Sequence, residues 1–368
     1  MNFCTVLILL FLKTHVALMS ISRRKFTGSL FALPLLLQLP LSASEKPINL
    51  SSKNKYPTKL NPGDTVALIS PCAATFTQEP IDIAVEALEK CGLKVKKGKH
   101  LMANEGHLAG TDKQRASDLN NAFADDDISA VICLRGGSGA ARVLPLIDYN
   151  TIKKNPKIIV GYSDVTALLL SIYAKTGLVT FHGQNGIASW TELARKYYFG
   201  LLFENKQLTF EKPDLPEANW VRKRGRTRTI QKGTASGILM GGNLTVLCGM
   251  LGSDYLPDFK GAILFLEDTN EELYRIDRLM AQLMLAGILD NISGFIFGHC
   301  TNCQPGRGYG TSTFDQIMDH YIKPLEIPAF SGAMIGHIES QFTLPLGIKT
   351  EMDAEKGTFK LLEKALHE

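Results

Sequence analysis

Short apolar segments that end in polar or glycine-rich turns alternate with amphipathic segments through the first half of the sequence. Three of the apolar segments are Thr65–Ser70, Ala130–Leu134 and Lys157–Val160. Apolar residues recur at helical spacing in the stretches between them, as over 81–88. Short apolar strands separated by helices are typical of a parallel sheet that is covered on both faces. The sequence therefore predicts an α/β fold whose N-terminal domain is a Rossmann-like parallel sheet.

The pattern changes near residue 204. Residues 204–232 are polar and include the basic run Arg-Lys-Arg-Gly-Arg-Thr-Arg at 222–228. We predict an α/β domain over 45–203, a linker over 204–232 and a smaller, β-rich C-terminal domain over 233–368. The basic run is predicted to be a solvated face, with contact to an anionic polymer as the alternative.

The first 44 residues have the order of an export signal. The basic pair Arg23-Arg24 precedes a short apolar stretch over 30–41, and small residues follow as far as Ser44. The string Ser-Arg-Arg-Lys-Phe at 22–26 resembles a twin-arginine signal. Met19 stands just before that string and is an alternative start to Met1.

We expect this signal to be cleaved near Ala43 or Ser44, with an uncleaved N-terminal anchor as the alternative. The apolar runs of the segment are too short to cross a bilayer, so no stable membrane span is expected after cleavage. The predicted location is the periplasm, or the cytoplasm if the signal is not used.

The charge of the remaining chain argues against a nucleic-acid partner. The whole sequence carries a formal net charge of +4. All of that excess lies in residues 1–44, which have four basic side chains and no acidic one. Because the chain beyond the signal has no net charge, it has no overall positive potential to attract nucleic acid. We therefore expect no nucleic-acid partner.

Six of the seven cysteines lie beyond the signal, and only Cys300 and Cys303 are close in sequence. A zinc site would need a second ligand pair at similar spacing, which the sequence lacks. We therefore expect no metal and six buried thiols, with a Cys300–Cys303 disulfide as the alternative in an oxidising compartment.

Ser163 lies where an apolar strand ends at Gly161 and a helical pattern begins. A serine at such a bend is exposed at the sheet edge, close to outward-pointing N–H groups. Only half of the G-x-S-x-G motif is present, because Val165 replaces the second glycine. On the residues alone, an N-cap serine is the more frequent role, and a catalytic nucleophile is the alternative.

A glycine-rich turn, Arg-Gly-Gly-Ser-Gly at 135–139, follows a second strand. Its N–H groups could bind a phosphate or an oxyanion. Neither the G-x-G-x-x-G fingerprint nor a Walker A motif is present, which argues against a nucleotide-binding Rossmann protein.

A series of short motifs occurs in order across nearly the whole chain beyond the signal: Pro62-Gly63-Asp64, 108–112, Arg135-Gly136-Gly137 with Gly139, 161–164, Phe181-His182-Gly183, 241–244, 266–268 with 274–278, Gly336-His337 and 343–347. In these motifs the sequence resembles the LD-carboxypeptidases, also called muramoyltetrapeptide carboxypeptidases. Each motif is weak alone, but their shared order makes a chance match implausible.

The resemblance implies a Ser–Glu–His triad at the interface of an α/β domain and a smaller β-rich domain. It assigns Ser163 as the nucleophile, Glu267 as the carboxylate that orients the base, and His337 as the base. Asp268 is adjacent to Glu267 and is the alternative carboxylate. The oxyanion hole would be formed by the backbone N–H groups of Gly137 and Asp164.

The family's reaction hydrolyses the L,D-peptide bond of a murein tetrapeptide and releases D-alanine, without a metal or other cofactor. A murein peptide is therefore the expected substrate, and the resemblance also allows for a homodimer. One alternative is a microcin-C-immunity-type serine peptidase, which cleaves peptide–nucleotide conjugates and for which Trp190 could supply stacking. The other is a cell-wall-binding protein without catalysis.

Overall fold

The structure is a computed structural model that describes residues 54–214, 221–222, 225–306 and 310–368. The predicted signal at 1–44 lies outside these residues, as do parts of the basic run. All of the described residues belong to one compact unit. Two sheets form its framework.

The first sheet has six strands in the order β12-β5-β4-β3-β1-β2. Neighbouring strands are parallel except for β12, which runs antiparallel to β5. Their bounds are β1 Thr65–Ile69, β2 Lys94–Lys97, β3 Ile128–Cys133, β4 Ile158–Gly161, β5 Thr180–His182 and β12 Leu344–Leu346. The buried strands β1, β3 and β4 confirm the three apolar segments that the sequence analysis singled out.

The second sheet has eight strands in the order β6-β14-β13-β8-β9-β10-β11-β7. Strands β8 to β11 are parallel to one another, and the outer strands pair antiparallel. Their bounds are β6 Thr209–Phe210, β7 Arg228–Gln231, β8 Thr234–Asn243, β9 Ala262–Thr269, β10 Gly294–Thr301, β11 Ala329–Ser331, β13 Lys349–Asp353 and β14 Thr358–Leu361. The C-terminal half is thus β-rich, as predicted, but with a parallel centre that the sequence analysis did not anticipate.

Helices connect the parallel strands of both sheets. Their bounds are α1 Glu79–Lys90, α2 Asp112–Ala124, α3 Ala140–Val143, α4 Tyr149–Lys154, α5 Thr166–Thr176, α6 Glu192–Leu202, α7 Leu244–Gly249, α8 Leu273–Leu285 and α9 Phe314–Ile322. Helix α5 is buried along nearly its whole length, because it lies between the two sheets and contacts β5 and β12 as well as β8. None of the described helices is long and apolar enough to cross a membrane.

Each sheet includes strands from outside the predicted domain that contributes most of it. Strand β12 comes from the C-terminal part but completes the first sheet, whereas β6 and β7, both within the predicted linker range 204–232, join the second sheet. The domain boundaries near residues 203 and 233 stay a prediction. The first sheet includes a strand from beyond residue 203, and the second includes two strands from before residue 233.

The cysteines divide into two groups. Cys300 and Cys303 form a disulfide, so the expectation of six thiols is wrong for this pair and the alternative holds. The turn between them is closed by Asn302, whose φ of 57° lets the chain reverse within two residues. The other four are buried thiols, as expected: Cys72, Cys91, Cys133 and Cys248.

Gly241 provides a test of the packing between β8 and β9. Its φ is +150°, and a Cβ there would lie 1.8 Å from the carbonyl oxygen of Phe265. We expect Gly241→Ala to lower the free energy of unfolding by at least about 3 kcal/mol, because neither backbone can move without breaking the ladder. Urea denaturation measures this change. Gly249→Ala is the matched control, because a Cβ there meets nothing within 4 Å, and a loss as large as that of Gly241→Ala would contradict the argument.

Candidate active site

Ser163 stands at a strained bend between β4 and α5. Its φ is 65°, a left-handed conformation that is uncommon for a residue with a Cβ. The chain turns through a 3₁₀ segment, Ser163–Val165, before α5 begins, and no side chain caps that segment. Ser163 is therefore not an N-cap, the role that the residues alone favour. The bend presents its half-buried side chain at the carboxyl edge of the sheet, as a nucleophile elbow would.

The glycine-rich turn after β3 packs directly against this bend. A Cβ on Gly136 would lie 2.7 Å from the Ser163 Cβ and 3.2 Å from the Asp164 nitrogen, so only glycine permits the approach. Gly137 has a φ of +119° and abuts Ala73. Among the hydrogen bonds of the described chain, the N–H groups of Gly137 and Asp164 have no protein acceptor. Two free donors thus lie on the segments that meet at Ser163.

The Asp164 side chain ties the two turns together. Its carboxylate accepts a hydrogen bond from the Ala140 N–H at 2.8 Å, at the start of α3. Burial raises the pKa of Asp164, while the bond from Ala140 opposes that rise. The carboxylate therefore fixes the position of the glycine-rich turn relative to Ser163.

Glu267 and His337 are joined by a hydrogen bond. The Nδ1 atom of His337 lies 2.8 Å from Oε2 of Glu267. The Glu267 side chain is fully buried, whereas that of His337 is 22% exposed. Because an ionised carboxylate only accepts hydrogen bonds, this pairing favours the tautomer that has its proton on Nδ1 and its lone pair on Nε2. His337 follows Gly336, whose φ is +110° and where a Cβ would lie 2.6 Å from Oε2 of Glu267.

Asp268 has different partners, although it is adjacent to Glu267. Its carboxylate accepts hydrogen bonds from the N–H and hydroxyl of Thr245 at 3.0 and 2.8 Å, at the N-terminal end of α7. Burial raises the pKa of Asp268 to about 6. Asn243 bridges the two carboxylates, because its Nδ2 donates to Glu267 at 3.1 Å and to Asp268 at 3.2 Å. The structure thus pairs His337 with Glu267 and directs Asp268 towards α7.

Aromatic side chains connect the serine bend with the histidine. The Tyr162 ring packs edge-on against His337 with ring centroids 5.0 Å apart, and against His182 at 6.1 Å. Between Ser163 and His337, both within the described chain, no hydrogen bond is present. Catalytic hydrogen bonds are often long in a ligand-free enzyme and shorten in the substrate complex.

His182 is fully buried against Phe265, and neither ring nitrogen has a partner among the described residues. Burial lowers its pKa to about 4. The ring is therefore neutral near pH 7, and its role in this arrangement is to pack against Tyr162.

Two contributors to this arrangement, Asn243 and Tyr162, were not given roles from the sequence. The signal for Asn243 is its position after a strand and directly before a helix, where it caps α7 by accepting from Val246. Nothing in the sequence reveals that its amide also reaches the two carboxylates. Across the described residues, no group of three or more His, Cys, Asp or Glu side chains is arranged to hold a metal ion.

Family models match both halves of the chain. The model of the LD-carboxypeptidase N-terminal domain matches residues 66–183, and the model of the C-terminal domain matches residues 236–352. Together they cover more than half of the sequence. The chain belongs to the LD-carboxypeptidase family.

Relatives of this LD-carboxypeptidase family member cover most of its length. A probable murein peptide carboxypeptidase of Bacillus subtilis is 37% identical over 83% of this chain and 94% of its own. The murein tetrapeptide carboxypeptidase of Pseudomonas aeruginosa is 32% identical over 77% of this chain and 91% of its own. The solved structure of MccF in complex with glutamyl sulfamoyl guanosine is 29% identical, with a TM-score of 0.76, over 85% of this chain and 99% of its own.

Membership of this family makes the protein a peptidase, and therefore a hydrolase. The solved relative also supports the fold class, a mixed α/β architecture in which the first sheet has parallel strands.

The raised pKa of Asp268 predicts a pH-dependent stability. Because the folded state holds the proton up to about pH 6 and the unfolded state releases it near pH 4, the contribution of Asp268 to the free energy of unfolding should fall by about 2–3 kcal/mol as pH rises from 4 to 7. Asp268→Asn removes this titration. Urea denaturation at several pH values measures the free energy of unfolding of both proteins. If the difference between wild type and Asp268→Asn did not change with pH, the raised pKa of Asp268 would be contradicted.

Proposed function

We propose that the protein is a serine-type LD-carboxypeptidase that releases the terminal D-alanine of murein tetrapeptides by using Ser163, Glu267 and His337. The observation that carries the proposal is the hydrogen bond from His337 to the buried Glu267, on segments that Tyr162 connects to the Ser163 bend. The murein relatives support the substrate class.

His337 acts as the general base in this mechanism. With its proton on Nδ1 and held by Glu267, its Nε2 lone pair accepts the hydroxyl proton as the Ser163 oxygen attacks the scissile carbonyl carbon. The imidazolium that forms is stabilised by the Glu267 carboxylate. Glu267 remains ionised and keeps the ring in the orientation that the proton transfer requires.

The attack converts the carbonyl oxygen into an oxyanion. The N–H groups of Gly137 and Asp164 are the proposed donors, since they flank the Ser163 bend and have no protein acceptor in the described chain. Loss of one such donor typically raises the barrier by about 3–4 kcal/mol. Because Asp164 also bonds Ala140 through its side chain, its backbone donor and the glycine-rich turn keep a fixed spacing.

Collapse of the tetrahedral intermediate breaks the peptide bond. The imidazolium of His337 gives its proton to the departing amine, which leaves as D-alanine, and the acyl group stays on the Ser163 oxygen. Water then attacks the ester with His337 again as the base, and the shortened peptide is released. The charge that develops is stabilised by the N–H donors and by the Glu267–His337 pair.

A microcin-C-immunity-type activity on peptide–nucleotide conjugates is the second candidate, and the likeness to the MccF complex favours it. Trp190 is the residue that the sequence suggests for base stacking. It packs edge-on against Tyr198 with ring centroids 4.9 Å apart, and its indole nitrogen is buried. Because the side chain is half-buried against the core, less of the indole is free for stacking. Comparing turnover of a purified tetrapeptide with that of an aminoacyl-nucleotide analogue separates the two activities.

Ser163→Ala tests the nucleophile. We expect release of D-alanine from a defined tetrapeptide, read by mass spectrometry, to fall by about 10⁴–10⁶-fold, because no other hydroxyl takes the place of the attacking oxygen. Ser117→Ala, on α2, is the matched control and should keep wild-type turnover. Substantial activity in a folded Ser163→Ala protein would remove this residue from the mechanism, and inactivity of the wild type on every stem peptide would favour a wall-binding protein without catalysis.

The two adjacent carboxylates give a sharper comparison. Glu267→Gln leaves an amide beside His337 that favours the wrong ring tautomer, so kcat should fall by about 10³–10⁴-fold. Asp268→Asn, assayed at the same pH, should change kcat by no more than about tenfold, since Asp268 contacts α7 rather than the ring. Equal losses in both variants would show that the carboxylates act only through the local fold.

A further inference from the structure

A cavity of about 580 Å³ lies beside the carboxyl end of β10, and none of the proposed catalytic residues lines it. Its walls come from the chain before and within β7, the end of β10 and the chain after it, the end of β11, and the first residues of α8 and α9. The lining that bears on its chemistry comprises Arg226, Arg228, His299, Cys300, Cys303 and Asp315. A disulfide therefore forms part of the wall of an open cavity large enough for a small peptide.

The cavity is lined by positive charge that is only partly balanced. Arg228 is paired with Asp319 at 2.6 Å and lies 3.7 Å from Asp315, yet its buried Nη1 has no acceptor among the described residues. Arg226 is exposed and makes no ion pair with a described residue. The exposed guanidinium of Arg226 is therefore the group that can pair with an anionic ligand in the cavity.

Two ionisable groups near the cavity, Lys212 and His299, have pKa values that are lowered by burial and by a neighbouring positive charge. Burial, and then the charge of Arg222, lowers the pKa of Lys212 to about 8. Burial lowers the pKa of His299, and the nearby Lys212 lowers it further, so the imidazole beside the disulfide is neutral near pH 7. A neutral imidazole can accept a proton from an incoming thiol.

We propose that this cavity is a thiol–disulfide exchange site, at which a small thiol that carries carboxylates, such as glutathione, attacks the Cys300–Cys303 disulfide. The thiolate sulfur forms a bond to one cysteine sulfur while the Cys300–Cys303 bond breaks. The other cysteine leaves as a thiolate, and the first carries a mixed disulfide. A second thiol then attacks that mixed disulfide, so that two small thiols are oxidised and the protein disulfide is reduced.

The charges of the cavity favour both the approach of the thiol and the departure of the cysteine thiolate. The arginines attract the carboxylates of the thiol, and nearby positive charge stabilises the cysteine thiolate that leaves. Both cysteines are half-buried rather than sealed in the core, so a small molecule in the cavity can reach them. The four other cysteines of the described chain are buried, which makes the site selective.

The exchange site is connected to the chain that follows Glu267. In the ladder, Cys300 is opposite Asp268 and Thr301 is opposite Thr269. Asn270 donates to the Thr301 carbonyl at 2.8 Å, and Leu273 donates to the Gln304 carbonyl at 2.9 Å. The disulfide therefore braces the loop that carries the chain away from the carboxylate pair, and its opening should loosen that loop.

The test compares thiols of opposite charge on the oxidised protein. Reduced glutathione and cysteamine are added separately, and the mixed disulfide at Cys300 or Cys303 is followed by peptide mass spectrometry, with each rate corrected for the thiolate fraction. We expect glutathione to react faster than cysteamine. Arg226→Ala should lower the ratio of the two rates by about fivefold, and Arg226→Glu should reverse the preference.

Arg195→Ala is the matched control, because Arg195 is an exposed arginine on α6, away from the cavity. It should leave the ratio of rates unchanged. Equal rates for the two thiols in wild type, an unchanged preference in Arg226→Glu, or free thiols at Cys300 and Cys303 in protein isolated under oxidising conditions would each overturn the proposal. The Ser163→Ala protein should exchange at the wild-type rate, so this result does not depend on the peptidase assignment.

Amide hydrogen exchange tests the connection to the site. Reduction, or the double variant Cys300→Ser/Cys303→Ser, should raise exchange at the Asn270 and Leu273 amides by about tenfold while the amides of β3 stay protected. Unchanged protection at Asn270 and Leu273 after verified reduction would show that the disulfide does not brace the loop.

Discussion

Two adjacent carboxylates buried at the end of one strand impose the constraint on which the site depends. Successive side chains of a strand point to opposite faces, so Glu267 and Asp268 at the end of β9 meet different surroundings and share only one donor among the described residues, the Asn243 amide. Each carboxylate needs further hydrogen-bond donors of its own in the interior. Removing a partner from a buried charge typically costs about 3–5 kcal/mol, which makes the donors as important as the acids.

The chain meets this constraint with elements from both of its halves. The start of α7 supplies Thr245 to Asp268, the segment after β11 supplies His337 to Glu267, and Asn243 contacts both acids. Asn243 is in turn held by Thr166 at the start of α5, whose hydroxyl accepts from its N–H at 3.0 Å. Since α5 directly follows the Ser163 bend, the carboxylate pair and the bend are linked through one short path of hydrogen bonds.

Local patterns in the sequence predict where strands end, but they do not predict which residues from different strands come into contact. The apolar run 157–160 and Gly161 indicate where β4 ends and the bend begins, since apolar periodicity and turn residues act locally. The choice of Glu267 over Asp268 depends on which face of β9 meets His337, seventy residues further on. Likewise, the Cys300–Cys303 spacing allows both thiols and a disulfide, and the structure shows the disulfide.

The order in which strands join the first sheet has a consequence for how the protein is made. Strand β12 is the edge partner of β5, but it is encoded more than 160 residues later. While the chain leaves the ribosome, the hydrogen-bonding edge of β5 therefore stays open until those residues have also been synthesised. An open strand edge can pair with other chains. The nascent protein is therefore exposed to aggregation until β12 pairs with β5, and a chaperone that covers this edge would protect it.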